Sequence, residues 1–191
     1  MNIDRRHEIL TAATKSFSLF GYKATTMDQV AKLANVGKGT IYTFFKNKEE
    51  LFDEIITKLI IDMEKTATNA LQPDKSFQEN VHQALYKMLE YRLEHQLTIK
   101  LFQEGREIGT PIVQEMMTRL EQSILSFITD KIRRAIDKGE IKPCDPELTA
   151  FVLLKLYVAL IFDWEKERKP LDKQEIANLF DLYIFKGLSV R

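Results

Sequence analysis

The sequence predicts an all-α fold of about nine helices, and three observations carry that reading. All five prolines (Pro73, Pro111, Pro143, Pro146, Pro170) fall where a helix should start or stop. Five of the seven glycines (Gly21, Gly37, Gly109, Gly139, Gly187) occupy candidate helix ends, where a left-handed residue is wanted. Four tetrads, Thr26–Gln29, Asn47–Glu50, Ser76–Glu79 and Asp172–Glu175, have the capping-box form, and Thr110-Pro111 and Asp145-Pro146 place a cap before a proline at the first helical position. No segment alternates apolar and polar residues between hairpin turns.

Taken in order, the first helix runs over about 3–20 and should bury Ile9, Leu10, Ala13, Phe17 and Phe20 at three-to-four spacing. Two short helices follow, Met27–Ala34 and about Lys38–Phe44, with Asn35-Val36-Gly37 as the turn between them. The fourth spans about 48–71, and helices at about 76–95, 97–108, 111–138 and 146–168 lead to a last one at 173–187.

Composition bounds the function. With 191 residues, 45% hydrophobic and 29% charged, the chain has ample material for a core and is neither disordered nor fibrous. The longest apolar run, Phe151–Phe162, is broken by Lys155 and falls far short of the ~20 residues that span a bilayer. The opening MNIDRRHEI has no secretory leader pattern, so the expectation is a cytoplasmic protein with no membrane partner. The single cysteine, Cys144, excludes an intrachain disulfide and a Cys-based zinc cage. Net charge is zero, but residues 1–48 carry eight Lys/Arg against three acidic residues, Asp4, Glu8 and Asp28. A basic head on an acidic body suits contact with a polyanion at one end.

The stretch GKGTIYTFFKNKEEL, Gly37–Leu51, concentrates lysines, threonines and aromatics in that head. A short helix, a glycine-containing turn and a second short helix form the helix-turn-helix pattern, whose second helix enters a major groove. Val30, Ala31 and Ala34 would face Val36, Ile41 and Phe45 inside the unit. Lys38, Thr40 and Thr43 remain on the outer face, with Tyr42 toward the flank, as donors suited to phosphates and base edges.

The segment FGYKATTMDQVAKLANVGKGTIYTFFKNKEELFDEII, Phe20–Ile56, resembles the DNA-binding signature of the TetR family of bacterial transcriptional regulators. The resemblance rests on Gly21-Tyr22, Thr25-Thr26, Val30-Ala31, Ala34, Val36, Gly39 through Tyr42, and Phe45 through Glu49. It implies a TetR-like architecture, with a three-helix DNA-binding head at residues 1–47 and a helical ligand-binding and dimerisation domain at 48–191. It also implies a homodimer on a palindromic double-stranded DNA operator, most often a repressor released by a small-molecule effector, with no cofactor. Thr26, which also reads as an N-cap, Tyr42 and Lys48 match phosphate-contacting positions. A cation at a helix N-terminus opposes the dipole, and a phosphate beside Lys48 would offset that cost. Lys38, Gly39, Thr40 and Thr43 are the base-edge candidates, Gly39 by letting the backbone approach, and Thr40 reads equally as a phosphate contact. Phe44 reads either as packing or as a contact to a thymine methyl.

The remainder offers an apolar pocket lining, Met88, Tyr91, Phe102, Met116, Met117, Leu120, Tyr157 and Phe162, suited to a hydrophobic effector. Leu153, Leu156, Leu160 and Trp164, with Leu179, Leu182 and Tyr183, recur at helical spacing as a dimer face. Enzymatic readings find little support. His7, His82 and His95 lack a metal-motif partner, Glu90, Glu94 and His95 read as a solvated face, and no phosphate loop or nucleophile elbow occurs. No metal site is expected. The alternative is a helical protein-interaction adaptor without sequence-specific DNA binding, which would leave Lys38, Tyr42 and Lys48 without a purpose.

Overall fold

The computed structural model describes residues 2–94, 96–164 and 167–186. Nine α-helices occur among them: α1 (Asn2–Ala24), α2 (Met27–Leu33), α3 (Lys38–Phe44), α4 (Lys48–Ala70), α5 (Phe77–Glu94), α6 (Gln96–Glu107), α7 (Pro111–Asp137), α8 (Pro146–Val158) and α9 (Lys173–Phe180). There is no β-strand among the described residues, and no helix there is long and apolar enough to cross a membrane. Two expected helices change pitch before they end. After α8 the chain winds as a π-turn over Ala159–Asp163, and after α9 over Asp181–Phe185. A π-turn shifts each hydrogen bond by one residue and needs no glycine or proline, so it leaves no mark in the sequence. His95, Gly187 and the side chains of Glu94 and Phe102 lie outside the described residues.

The helix starts follow their sequence signals. Thr26 and Gln29 make a full capping box on α2, as do Asp172 and Glu175 on α9. Ser76 and Glu79 exchange the same two bonds at α5. Asn47 accepts from Glu50 N–H at 2.8 Å, while the Glu50 carboxylate reaches one residue further back, to Lys46 N–H at 2.7 Å. Asp145 caps α8 through Glu147 and Leu148. Thr110 stands just before Pro111, the first residue of α7, and its hydroxyl donates to Glu104 Oε1 at 3.0 Å.

By packing, the chain divides into two units, Met1–Asp62 with Arg92–Leu120, and Met63–Tyr91 with Glu121–Arg191. The first gathers Ile9, Ala13 and Phe17 of α1, Val30 and Ala31 of α2, and Ile41 of α3. Leu51, Phe52, Ile55 and Ile56 of α4 and Leu97 and Leu101 of α6 complete it, all buried. Phe17, Tyr22 and Phe52 form an aromatic cluster with ring centroids 4.7–5.8 Å apart. This corrects one expectation, since Phe20 is 55% exposed. Gly21 turns the chain so that Tyr22, not Phe20, lies against Phe17, and Tyr22 is 5% exposed. Arg6 pairs with Glu54 and sits over the Phe45 ring, and Arg119 joins Asp53 and Thr57.

The second unit closes over Phe77, Leu89, Ile132, Ala135, Ile141, Ala150, Leu153, Ile161, Ile176 and Phe180. Leu153, expected on a dimer face, is 6% exposed inside this core, and Leu156 and Leu160 are partly buried against it. The apolar stripe of α8 is therefore used within the chain. A second row, Leu148, Phe151 and Val152, stays open at 60%, 45% and 45% exposure, as do Leu182 and Tyr183 at 50% and 68%. Trp164 is half-exposed, and its indole N–H donates to Lys169 O at 3.1 Å. Of the proposed pocket lining, Met116 and Leu120 are buried and Met117 half-buried in the first unit, while Met88, Tyr91, Tyr157 and Phe162 are half-buried in the second.

Glu90 on α5 accepts from Lys173 on α9 at 2.8 Å and from Lys87 at 2.9 Å. Those bonds, Lys173 first, hold its carboxyl down from 4.5 to about 2. A lowered carboxylate stabilises the fold above its ordinary pKa, and that contribution fades as pH falls from about 4.5 toward about 2. Wild type should therefore resist neutral-pH unfolding better than Glu90→Gln, and circular dichroism titration should show the two curves converging in acid.

Candidate nucleic-acid interface

The helix-turn-helix is built as its spacing requires. Val30, Ala31, Ala34, Ile41 and Phe45 are buried inside it, with Val36 half-buried. The left-handed residue of the turn is Asn35, at φ 52°, rather than Gly37. Asparagine tolerates that conformation better than most side chains do. Gly37 instead takes φ −65°, ψ 150° as the N-cap of α3, with no side chain to accept there. The α3 N-terminus is therefore left uncovered beside Lys38.

On the outer face an open depression of about 460 Å³ is lined by Thr25, Thr26, Met27, Asp28, Lys38, Tyr42 and Lys48. Four of the seven residues expected to meet DNA thus share one concavity. Gly39, Thr40 and Thr43 stand on the same short helix outside it. A side chain at Gly39 would meet nothing within 4 Å, so the backbone there is open to a close-lying partner. The Thr43 hydroxyl donates to Thr40 O at 2.6 Å, which leaves its methyl and lone pairs as the outward features. Tyr42 is 44% exposed.

Charge at the site is more structured than the basic excess alone implied. Lys38 Nζ donates to Asp28 Oδ2 at 2.9 Å, and that bond raises the lysine pKa. Asp28 and Lys38, both in the lining of the depression, are thereby paired with each other. Lys48 donates to the carbonyls of Tyr22 at 2.9 Å and Thr25 at 3.0 Å, and its ammonium lies 4.1 Å from the Tyr22 ring centroid. Partial burial lowers its pKa. The dipole cost of a cation at the start of α4 thus has an intramolecular offset in two carbonyls and the Tyr22 ring, while Lys48 still lines the depression. The Tyr22 hydroxyl donates to Glu49 at 2.8 Å; burial and this bond raise the tyrosine pKa, and the same bond lowers that of Glu49.

Sequence reasoning missed Glu104. It is 4% exposed, and its carboxylate accepts from Tyr22 N–H at 2.6 Å and Lys23 N–H at 3.0 Å. Position 104 continues the buried stripe of Leu97 and Leu101 on α6, and a carboxylate on an apolar stripe was the available signal. Among the described residues no group of three or more His, Cys, Asp or Glu could hold a metal ion.

A buried three-helix unit that presents donors and an uncovered helix N-terminus on one face defines a helix-turn-helix DNA-binding regulator. The comparisons carry this to a family. The profile of bacterial regulatory proteins of the tetR family matches residues 9–55, and that of the tetracyclin repressor-like C-terminal domain matches residues 74–188. The chain belongs to the TetR family of transcriptional regulators. It is 67% identical over 189 residues, 99% of both chains, to YhgD of Bacillus subtilis strain 168, an uncharacterized HTH-type transcriptional regulator. It is 30% identical over 171 residues to the HTH-type regulator UidR of Escherichia coli K12, covering 85% of this chain and 82% of that one. The fatty acid degradation regulator FadR of Bacillus halodurans shares the fold at TM-score 0.80 and 15% identity, covering 98% and 97% of the two chains. SmeT, solved in complex with triclosan, shares it at TM-score 0.78 and 20% identity over 97% and 92%. The protein is accordingly a DNA-binding regulator and not an enzyme.

Proposed function

We propose that this regulator is a repressor that binds a roughly palindromic operator as a homodimer and is released by a small hydrophobic effector. In this reading residues 1–47 form the DNA-binding head and 48–191 the effector-binding and dimerisation part. The observation that carries the DNA half is the depression in which Thr26, Lys38, Tyr42 and Lys48 converge, beside the open backbone of Gly39. Thr26, Tyr42 and Lys48 serve phosphates, while Lys38, Gly39, Thr40 and Thr43 meet base edges.

Dimerisation is supported by the open row of Leu148, Phe151 and Val152, a three-to-four spacing on one helix, and by exposed Leu182 and Tyr183. A two-fold contact through such a row sets two heads on one DNA face and requires a palindromic site. A Phe151→Asp, Leu148→Glu double variant should sediment as a monomer and bind operator far more weakly; a dimer unchanged by both charges would move the interface elsewhere. For the effector, the triclosan complex and the fatty acid regulator of like fold favour an apolar molecule.

The deciding experiment is selection of bound fragments from random-sequence DNA, with affinity followed against salt. A palindromic site is expected, with a log–log slope of about −0.9 for each phosphate neutralised. Long-chain fatty acids, acyl-CoA and triclosan, added singly to the complex, then test release. If no sequence is enriched by refolded, ligand-free protein, the DNA reading fails and the interaction adaptor takes its place.

A further inference from the structure

Glu104 is the one charged side chain among the described residues that is buried. Sealing a carboxylate away from water is unfavourable unless its oxygens are satisfied. Here both oxygens accept from neutral donors: Tyr22 N–H to Oε2, and Lys23 N–H and the Thr110 hydroxyl to Oε1. The two amides follow Gly21, whose φ of 81° and ψ of 173° present them side by side, and a Cβ at Gly21 would run into Oε2. The site is thus a carboxylate cradle made by one turn of backbone, filled from α6.

That turn leads straight to the operator face. Its amides belong to Glu104, and its carbonyls belong to others. Lys48 takes Tyr22 O and Thr25 O, and the Thr25 hydroxyl donates to Gly21 O at 2.8 Å while meeting Ser16 at 3.0 Å. Thr26, the next residue, caps α2 and lines the depression with Lys48. An apolar residue at 104 would leave two amides unpaired, that of Tyr22 buried and that of Lys23 partly so, and the turn would move to find water.

We infer that Glu104 is a positioning residue for DNA binding: by gripping the Tyr22 and Lys23 amides it sets the turn that delivers Thr26 and Lys48 to the phosphate backbone. The inference rests on the DNA face proposed above. Glu104→Gln tests it, because an amide side chain has one acceptor oxygen and turns an NH₂ toward the second N–H. With the selected operator, well below the unfolding temperature, the variant should bind about three- to tenfold more weakly. Its log–log salt slope should be shallower by about 0.9 for each phosphate that it no longer neutralises.

Lys48→Ala in the same assay separates the two readings. If Lys48→Ala flattens the slope while Glu104→Gln keeps wild-type affinity and slope, the positioning role is wrong and the DNA face stands. If Glu104→Gln binds more weakly with an unchanged slope, it merely removes active protein, and the role is again wrong. If neither variant changes anything, the DNA face itself is misplaced. Should Glu104→Gln fail to fold, amide exchange in the wild type serves instead. Tyr22 and Lys23 N–H should exchange slowly and slow further on operator, and rapid exchange at either would overturn the inference.

Discussion

Gly21→Ala is expected to lower stability by about 3 kcal/mol, the larger part from backbone strain and the rest from the displaced Glu104 carboxylate. At φ 81°, ψ 173° the backbone occupies a region open essentially to glycine alone, and a Cβ there meets Glu104 Oε2. The side chain cannot retreat without releasing Tyr22 and Lys23 N–H, so strain and broken hydrogen bonds arrive together. Gly39→Ala is the matched control. That glycine lies inside α3 with nothing within 4 Å, so alanine should be neutral or stabilising by up to about 1 kcal/mol. The same alanine should weaken operator binding if the backbone at Gly39 approaches the bases. Denaturant unfolding measures the first pair of effects and operator titration the second. A Gly21→Ala loss below about 1 kcal/mol would mean that the turn relaxes easily, and the cradle would then exert little control over its neighbours.

The contrast between these glycines shows what was legible in the chain. Helix ends were, because capping is local: Thr26 needs only Gln29, and Asp172 only Glu175, to close a box. The outward face of α3 was legible for a related reason, since seven residues between two turns leave few ways to arrange Lys38, Tyr42 and Thr43. Packing partners were not. Periodicity set Leu153, Leu156 and Leu160 on a dimer face, because a stripe does not say whether the same chain or a second one covers it; the chain itself buries Leu153 and partly covers Leu156 and Leu160. Phe20 and Tyr22 exchanged places because the Gly21 turn redirects the chain by an angle that no hydropathy pattern contains. Glu104 finds its backbone partner 82 residues away, and nothing local announces a cradle at that distance.

Lys48→Met should weaken operator binding about tenfold near 0.1 M salt and flatten the log–log slope by about 0.9 per subunit, while costing about 1–2 kcal/mol of stability. Methionine keeps an apolar stem to pack against Tyr22, where the ammonium now lies 4.1 Å from the ring centroid, and removes only the charge and its donors. The stability loss follows from the carbonyls of Tyr22 and Thr25, which lose their 2.9 Å and 3.0 Å donors. The binding loss follows from removing the ammonium charge from the lining that Lys48 shares with Thr26, Lys38 and Tyr42, where a phosphate would meet it. Alkaline pH offers an independent check. Burial lowers the Lys48 pKa from 10.5, so its ammonium is lost earlier than that of a free lysine as pH rises. Wild-type affinity should fall correspondingly early, and Lys48→Met should lack that part of the decline. If stability falls while affinity, slope and alkaline profile stay those of the wild type, Lys48 serves the turn alone. The phosphate would then rest on Tyr42 and Thr26, and Lys38, oriented by Asp28, would be the cation that the depression presents to DNA.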